Sequence, residues 1–389
     1  MGNTQSLPDA AANRWPVVLT ALLVCFIAAI TPKVGSVLRL WTIPIVGEEL
    51  GSTEKRRKAY LAGARKLYSD GYQKFKNGVF MITTSKSSPT IVISPDFLPE
   101  LKKLPDSTLS MEAAVDERIA EAEAFLEPVV KSRTDAMADP SYEKPDDFLQ
   151  WLIDGKDKFP DKNSQNLAKV QLGLTFAAVH TTTLTATNAF YDLAAMPNIQ
   201  AELRDEVREA LSQSGGVFTS NVLQTMKKMD SFLKETLRVH PATMASFQRK
   251  VLKTFTLSNG QVIPAGLMIE IPAVAVNSDS YIFPNAEEFD PLRFYRLRSQ
   301  AKDEGSVEKA ANNQFVSVNQ SSLTFGYGRH ACPGRFFAAN EIKMILAHAL
   351  LRYDVKLVGS ETKRYANMEF AHMSIPDPSR NLLFKAIEV

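Results

Sequence analysis

Apolar and polar positions change their spacing several times along the chain, and each change marks an element. Residues 15–30 form an uncharged run, closed by Pro32 and followed by Lys33, Arg39 and the basic cluster Lys55, Arg56, Arg57 and Lys58. The run is slightly short for a membrane-spanning helix, and Val34, Val37 and Leu38 extend its apolar length. The chain is therefore expected to divide into a lead over 1–14, a transmembrane anchor over 15–32 and a main domain over 33–389. Basic residues after the run place that domain on the cytosolic side by the positive-inside rule. A cleaved signal peptide is the rival reading, opposed by the position of the positive charge and by a weak small-residue cleavage pattern.

Residues 52–75 predict a surface helix rich in Lys and Arg, and 79–83 and 90–93 predict strands joined by a Ser/Pro turn, a small sheet near the N-terminus. A highly charged helix is expected over 110–133, then a polar linker over 139–145, with order resuming at Trp151. Residues 167–196 predict a long helix ended by Pro197. Its middle, 172–179, is apolar or small on all sides, as in a helix buried inside a larger protein. Amphipathic helices follow over 199–212 and 223–240, separated by Gly215 and Gly216 and closed by Pro241. Strands are expected at 254–257, 262–263 and 268–271, with a Ser258-Asn259-Gly260 turn between the first two. A helix over 334–353 and short extended pieces complete a fold that is mainly α with small β-sheets.

With 389 residues, of which 45% are hydrophobic, the chain can bury a large core. Lys and Arg number 45 against 43 Asp and Glu, so the global basic surplus of a nucleic-acid binder is missing. The two cysteines, Cys25 in the apolar run and Cys332 in a glycine-rich loop, indicate no disulfide framework and a reducing compartment.

The chemistry concentrates in 325–334, Phe-Gly-Tyr-Gly-Arg-His-Ala-Cys-Pro-Gly. A cysteine just ahead of a helix meets the electropositive helix end, and the glycines let backbone N–H groups turn toward the sulfur; both favour the thiolate. An ionised cysteine on a haem iron supplies electron density that favours O–O cleavage. The pattern Phe-x-x-Gly-x-x-x-Cys-x-Gly would arise by chance on the order of two times in ten thousand such sequences.

This loop resembles the haem-binding signature of the cytochrome P-450 superfamily, and 325–343 is similar to fungal members that oxidise terpenoids and related secondary metabolites. The resemblance implies a cytochrome P-450 fold with Cys332 as haem iron ligand, flanked by Phe325 and Gly334 as cofactor-binding residues. It also implies a monooxygenase that uses dioxygen and electrons from an NADPH-dependent flavoprotein reductase to oxidise an apolar terpenoid or polyketide-like metabolite. The implied location is the endoplasmic reticulum membrane, with a single span and a cytosolic catalytic domain.

Glu235-Thr236-Leu237-Arg238, followed by His240-Pro241, fits the family's Glu-x-x-Arg helix. The same spacing recurs at Glu54 and Arg57 and at Glu361 and Arg364, so helical context and the proline stop make the selection. The family then implies a buried triad of Glu235, Arg238 and Arg293, in which two guanidinium groups share one carboxylate because unpaired buried charge is costly. On the long helix, Ala177 and Ala178 are small enough for a flat macrocycle and dioxygen to lie against them. They are expected to line the substrate pocket with Thr243, Met244 and Ala245. Thr181 is a catalytic candidate for hydrogen bonding to the distal oxygen. His180, standing where the family usually has an acid, and water are alternative proton relays. Arg249, His330 and Arg329 match positions that bind haem propionates. Arg329, Arg335 and Lys343 are candidates for docking an acidic reductase surface.

The chain also departs from the family. None of Trp15, Trp41 and Trp151 has Arg four residues on, so the usual Trp-x-x-x-Arg helix has no match. The chain is expected to be joined near 113–124, so that part of the B–C to F helix region is lacking. Loss of those helices would unpair apolar surface on the long helix. The alternative reading is accordingly a catalytically inactive, membrane-anchored remnant.

Overall fold

The computed structural model describes residues 42–84, 88–110, 119–155, 158 and 167–387. The expected anchor at 15–32 and the start of the join, 113–118, lie outside the described residues. Among the described residues no helix is long and apolar enough to cross a membrane.

Helix α1 (Thr53–Lys74) begins where Ser52 accepts a hydrogen bond from Lys55 N, which satisfies one of the amides orphaned at a helix start. Its buried residues Tyr60, Ala64, Tyr68 and Tyr72 repeat every four residues and so share one face. Strands β1 (Val79–Ile82) and β2 (Thr90–Ile93) pair antiparallel, Val79 opposite Ile93. They are not a separate small sheet. With β3 (Leu109–Ser110), β4 (Ser246–Val251) and β7 (Met268–Ile271) they form one five-stranded sheet in the order β1-β2-β7-β4-β3. Every residue of β1, β2 and β7 is buried, as continuous apolar strands require, and β2 runs parallel to β7. Sequence pattern did not single out β4, whose alternation is weak because Arg249 occupies an inward position between Phe247 and Val251. Smaller pairs join β5 (Phe255–Thr256) to β6 (Val262–Ile263), β8 (Tyr353–Leu357) to β11 (Leu382–Ala386), and β9 (Asn367–Phe370) to β10 (Met373–Pro376).

The helical part comprises α2 (Ile119–Ala136), α3 (Leu167–Ala194), α4 (Pro197–Ser212), α5 (Lys227–Val239), α6 (Arg293–Asp303) and α7 (Arg335–Arg352), with shorter turns between them. The helix expected over 223–240 is divided. A short helix, Ser220–Thr225, ends at Met226, whose ψ of 79° breaks the spiral before α5 begins. Glu206 of α4 then accepts from Lys228 N at 2.7 Å and Met229 N at 2.9 Å, placing a carboxylate on the positive end of α5. Leu193 of α3, Leu203 and Val207 of α4, Phe232 of α5 and Leu346 of α7 meet in the helical core.

One expectation for α3 is reversed. Burial sets in at Thr182, but 177–181 are exposed, including Val179 at 55%. The sequence looks buried on all sides because its small and apolar residues suit an apolar neighbour, whether another helix or a bound ligand.

Lys234 illustrates what the core demands of a charged group. Its Nζ donates to the carbonyl oxygens of Asn312 and Gln314 at 3.1 and 2.7 Å, and burial pushes its pKa down to about 7 although Asp230 opposes the shift. The folded value lies below the ordinary 10.5, so between the two the unfolded chain binds more protons and stability rises with pH. Urea unfolding of the wild type and of Lys234→Met at several pH values should give a stability difference that shifts toward the wild type above about pH 7. A difference that stays flat across that window would show that Lys234 keeps its proton.

Candidate functional site

Three segments bring the expected site residues together: the Cys332 loop, the buried end of α5 and the inner sheet strand β4. In the loop, Gly326 and Gly328 adopt φ of +77° and +70°, and a Cβ on Gly328 would stand 2.9 Å from Lys102 Cβ, so both positions demand glycine. The turn is closed by Cys332 N donating to Phe325 O at 2.7 Å, and Phe325 packs edge-on against Phe315. Gly334 is the N-cap of α7, and Arg335 in the first position of that helix donates from Nη1 to Cys332 O at 2.7 Å. Cys332 is a free cysteine of intermediate exposure, held three residues ahead of the positive end of α7.

Behind the loop, Glu235 is fully buried between two guanidinium groups. Arg238 donates to its carboxylate from Nε and Nη2 at 2.8 and 2.7 Å, while Arg293 Nε lies 3.2 and 3.3 Å from the two oxygens. The remaining guanidinium protons reach carbonyls: Arg238 Nη1 donates to Asn277 O and Ala286 O, and Nη2 groups of both arginines donate to Glu288 O. This satisfied cluster ties α5 to the segment that leads into α6.

A second buried carboxylate escaped the sequence reading. Asp230 receives Lys343 Nζ at 2.6 Å, Arg298 Nη1 at 2.9 Å and Phe315 N at 2.9 Å, linking α5, α6, α7 and the approach to the cysteine loop. Lys343 is thus buried, which corrects its expected role in docking a reductase; half-buried Arg335 donates to Cys332 O, while Arg329 stays exposed and pairs with Asp106. A solvated basic stripe and an inward-facing one look alike until the partner is known.

Arg249 is 5% exposed, stacks its guanidinium over the Phe247 ring and donates to Gln248 O at 2.7 Å. Burial pushes its pKa down to about 10, and no carboxylate lies within ion-pair distance of it among the described residues. It shares a small hollow with Leu104, Leu109, Tyr327, Arg329 and His330. Arg329 and His330 both reach Asp106, a residue that carries no sequence signal because its partners are more than two hundred positions away. The His330 hydrogen bond and then the Arg329 charge hold the Asp106 carboxyl below its ordinary range.

On the other side, α3 packs against α7 and presents Ala177, Ala178, His180 and Thr181 on its exposed stretch. Thr181 Oγ1 donates to Ala177 O at 2.5 Å, so its proton is held by the helix while the oxygen can still accept. Of the expected pocket residues beyond α3, Thr243 is exposed, whereas Met244 and Ala245 are buried with Tyr60, Tyr68 and Phe80. A cavity of about 830 Å³, lined by Tyr72, Lys234, Asp279 and Phe283 among others, includes none of the expected site residues.

These residues fit the haem that the resemblance implies. The donor set offers one thiol for the iron, and Arg249 is a buried cation without an ion-paired carboxylate, as a propionate site needs. Beside Cys332, Arg335 Nε is buried without a hydrogen-bond partner.

The family model described as Cytochrome P-450 matches residues 62–384. The chain is 45% identical over 295 residues to cytochrome P-450 monooxygenase ATR3 of Stachybotrys chlorohalonatus, covering 76% of this chain and 59% of that protein. It is 38% identical over 277 residues to cytochrome P-450 monooxygenase AN1598 of Emericella nidulans, covering 70% of this chain and 50% of that protein. Similarity to cytochrome P-450 monooxygenase braC of Annulohypoxylon truncatum is 39% over 265 residues, or 68% and 52% of the two chains. The chain thus spans between half and three-fifths of the length of these relatives.

Proposed function

This chain belongs to the cytochrome P-450 family, and we propose that it is a haem-dependent monooxygenase of an apolar secondary metabolite, terpenoid or polyketide-like, fed with electrons by an NADPH-dependent flavoprotein reductase. The observation that carries this reading is Cys332, a free thiol in a glycine-shaped loop ahead of α7 whose backbone is fixed by Phe325 and Arg335. Haem bound through this thiolate would supply dioxygen reduction and oxygen transfer.

The chain's own residues have separable tasks. Arg249 pairs with a propionate, and Phe325 and Gly334 bound the ligand loop. Ala177, Ala178 and Thr243 offer a surface without bulk or charge to an apolar substrate. Thr181 holds its proton on Ala177 O and accepts another on Oγ1, which suits a relay; His180, its neighbour on the exposed stretch, is the second candidate for supplying that proton. The uncharged, apolar run of the sequence at 15–30, with its following basic residues, serves to anchor the protein in the endoplasmic reticulum membrane, with the catalytic domain in the cytosol.

Incubation with reductase, NADPH, isotope-labelled dioxygen and a panel of terpenoids tests the reading: product carrying one labelled oxygen atom is expected, and oxidised product without label, its oxygen drawn from water, would overturn it. In the same assay Thr181→Ala should lower product formed per NADPH consumed by about tenfold or more, with Thr181→Ser recovering most of it. Unchanged coupling in Thr181→Ala would remove the hydroxyl from proton delivery. The exposed stretch of α3 favours a second reading, an inactive membrane-anchored remnant, whose signature is a folded chain that takes up no haem.

A further inference from the structure

Asp106 lies in the turn made by Thr108 N and Leu109 N donating to Pro105 O, and its side chain is 59% exposed. Its Oδ1 accepts from Arg329 Nη2 at 2.6 Å and stands 3.1 Å from His330 Nε2; Arg329 Nη2 also donates to Leu104 O. On the reading above, Arg329 and His330 belong with Arg249 to the propionate side of the haem. Two of these three basic groups therefore already hold a carboxylate, and the third, buried Arg249, holds none among the described residues.

We propose that Asp106 is a placeholder for a haem propionate: it binds Arg329 and His330 in the cofactor's absence and yields them as the propionate enters, while Arg249 receives the other propionate. This inference rests on the haem reading of the Cys332 loop. Three observations support a temporary partner over a permanent one. Both contacts fall on a single oxygen of an exposed side chain in a turn, the kind of solvent-screened ion pair that holds only weakly. The rival anion arrives with a second anchor that Asp106 lacks, because the other propionate of the same molecule meets Arg249 in a desolvated setting, where charge-assisted pairing is strong. Arg329 Nε also donates to His330 Nε2 at 3.2 Å, and that nitrogen cannot accept from Arg329 and donate to Asp106 at once. Release from Asp106 thus lets Arg329 fix the tautomer in which Nδ1–H is free to donate.

The test compares haem with haem dimethyl ester, which has the same ring and no carboxylates, by titrating the full-length apo protein and following Soret absorbance. Asp106→Asn is expected to bind haem about three- to fivefold more tightly than the wild type and the ester equally well. Arg329→Met should erase that gain, and Arg249→Leu should weaken haem about tenfold while leaving the ester unaffected. Asp106→Asn binding haem no more tightly than wild type, or gaining equally toward the ester, overturns the placeholder and leaves the monooxygenase reading standing. A wild-type chain that acquires no Cys332-dependent band overturns both.

Discussion

Cys332→Ser is expected to abolish the thiolate-type Soret band that the reduced, carbon monoxide-bound protein shows, and monooxygenase activity with it. The substitution isolates the sulfur. Serine has nearly the same volume, and the contacts that shape the loop are made by backbone: Cys332 N to Phe325 O, and Arg335 Nη1 to Cys332 O. Cys25, in the apolar run near the N-terminus, is the chain's other cysteine and lies outside the ligand motif. Haem uptake should therefore weaken without unfolding the chain, since Arg249 and the hollow around it remain, while the electron-rich axial ligand is lost. The spectrum of reconstituted wild type and variant decides the point, and a band that survives the substitution would remove Cys332 from the iron.

Glu235→Ala should cost about 3–5 kcal/mol of stability, the typical penalty for breaking a buried ion pair from one side. The argument is local. Glu235 is 0% exposed, and its loss leaves the guanidinium groups of Arg238 and Arg293, 4% and 9% exposed, without their shared carboxylate. Their carbonyl partners satisfy hydrogen bonds but cannot neutralise charge. Against a total of about 5–15 kcal/mol for a folded domain, such a loss is a large fraction, so urea unfolding should move to much lower denaturant. Glu235→Gln, which keeps acceptor geometry on one oxygen, should recover only part of it. A cost below about 1 kcal/mol for Glu235→Ala would mark the cluster as an ordinary solvated pair.

What could be read from the chain was whatever depends on near neighbours. The helices α1, α3 and α7, the strands β1 and β2, and the glycines around Cys332 follow from periodicity, caps and turn chemistry within a few residues. The Glu235 cluster was legible because the local Glu-x-x-Arg spacing came with a proline stop and with the Asp-Pro-x-Arg segment that precedes α6. What stayed hidden depends on remote partners. Nothing beside Lys343 announces that Asp230 will bury it, and nothing beside Arg329 points to Asp106. The exposed stretch of α3 misled for the complementary reason: its composition suits an apolar neighbour, and among the described residues 177–181 stay exposed.

The parallel pairing of β2 with β7 also sets a clock on biosynthesis. Thr90 of β2 lies beside Met268 of β7, about 180 residues later. At about 5–20 residues per second a ribosome needs roughly 10–35 s to deliver that partner. During this interval the Thr-Ile-Val-Ile edge of β2 has its local hairpin mate β1 on one side and open backbone on the other, a surface prone to adhere to other nascent chains. Abundant chaperone during synthesis should therefore raise the soluble yield more than any adjustment made after the chain is released, and slower translation, which lengthens the interval, should lower it.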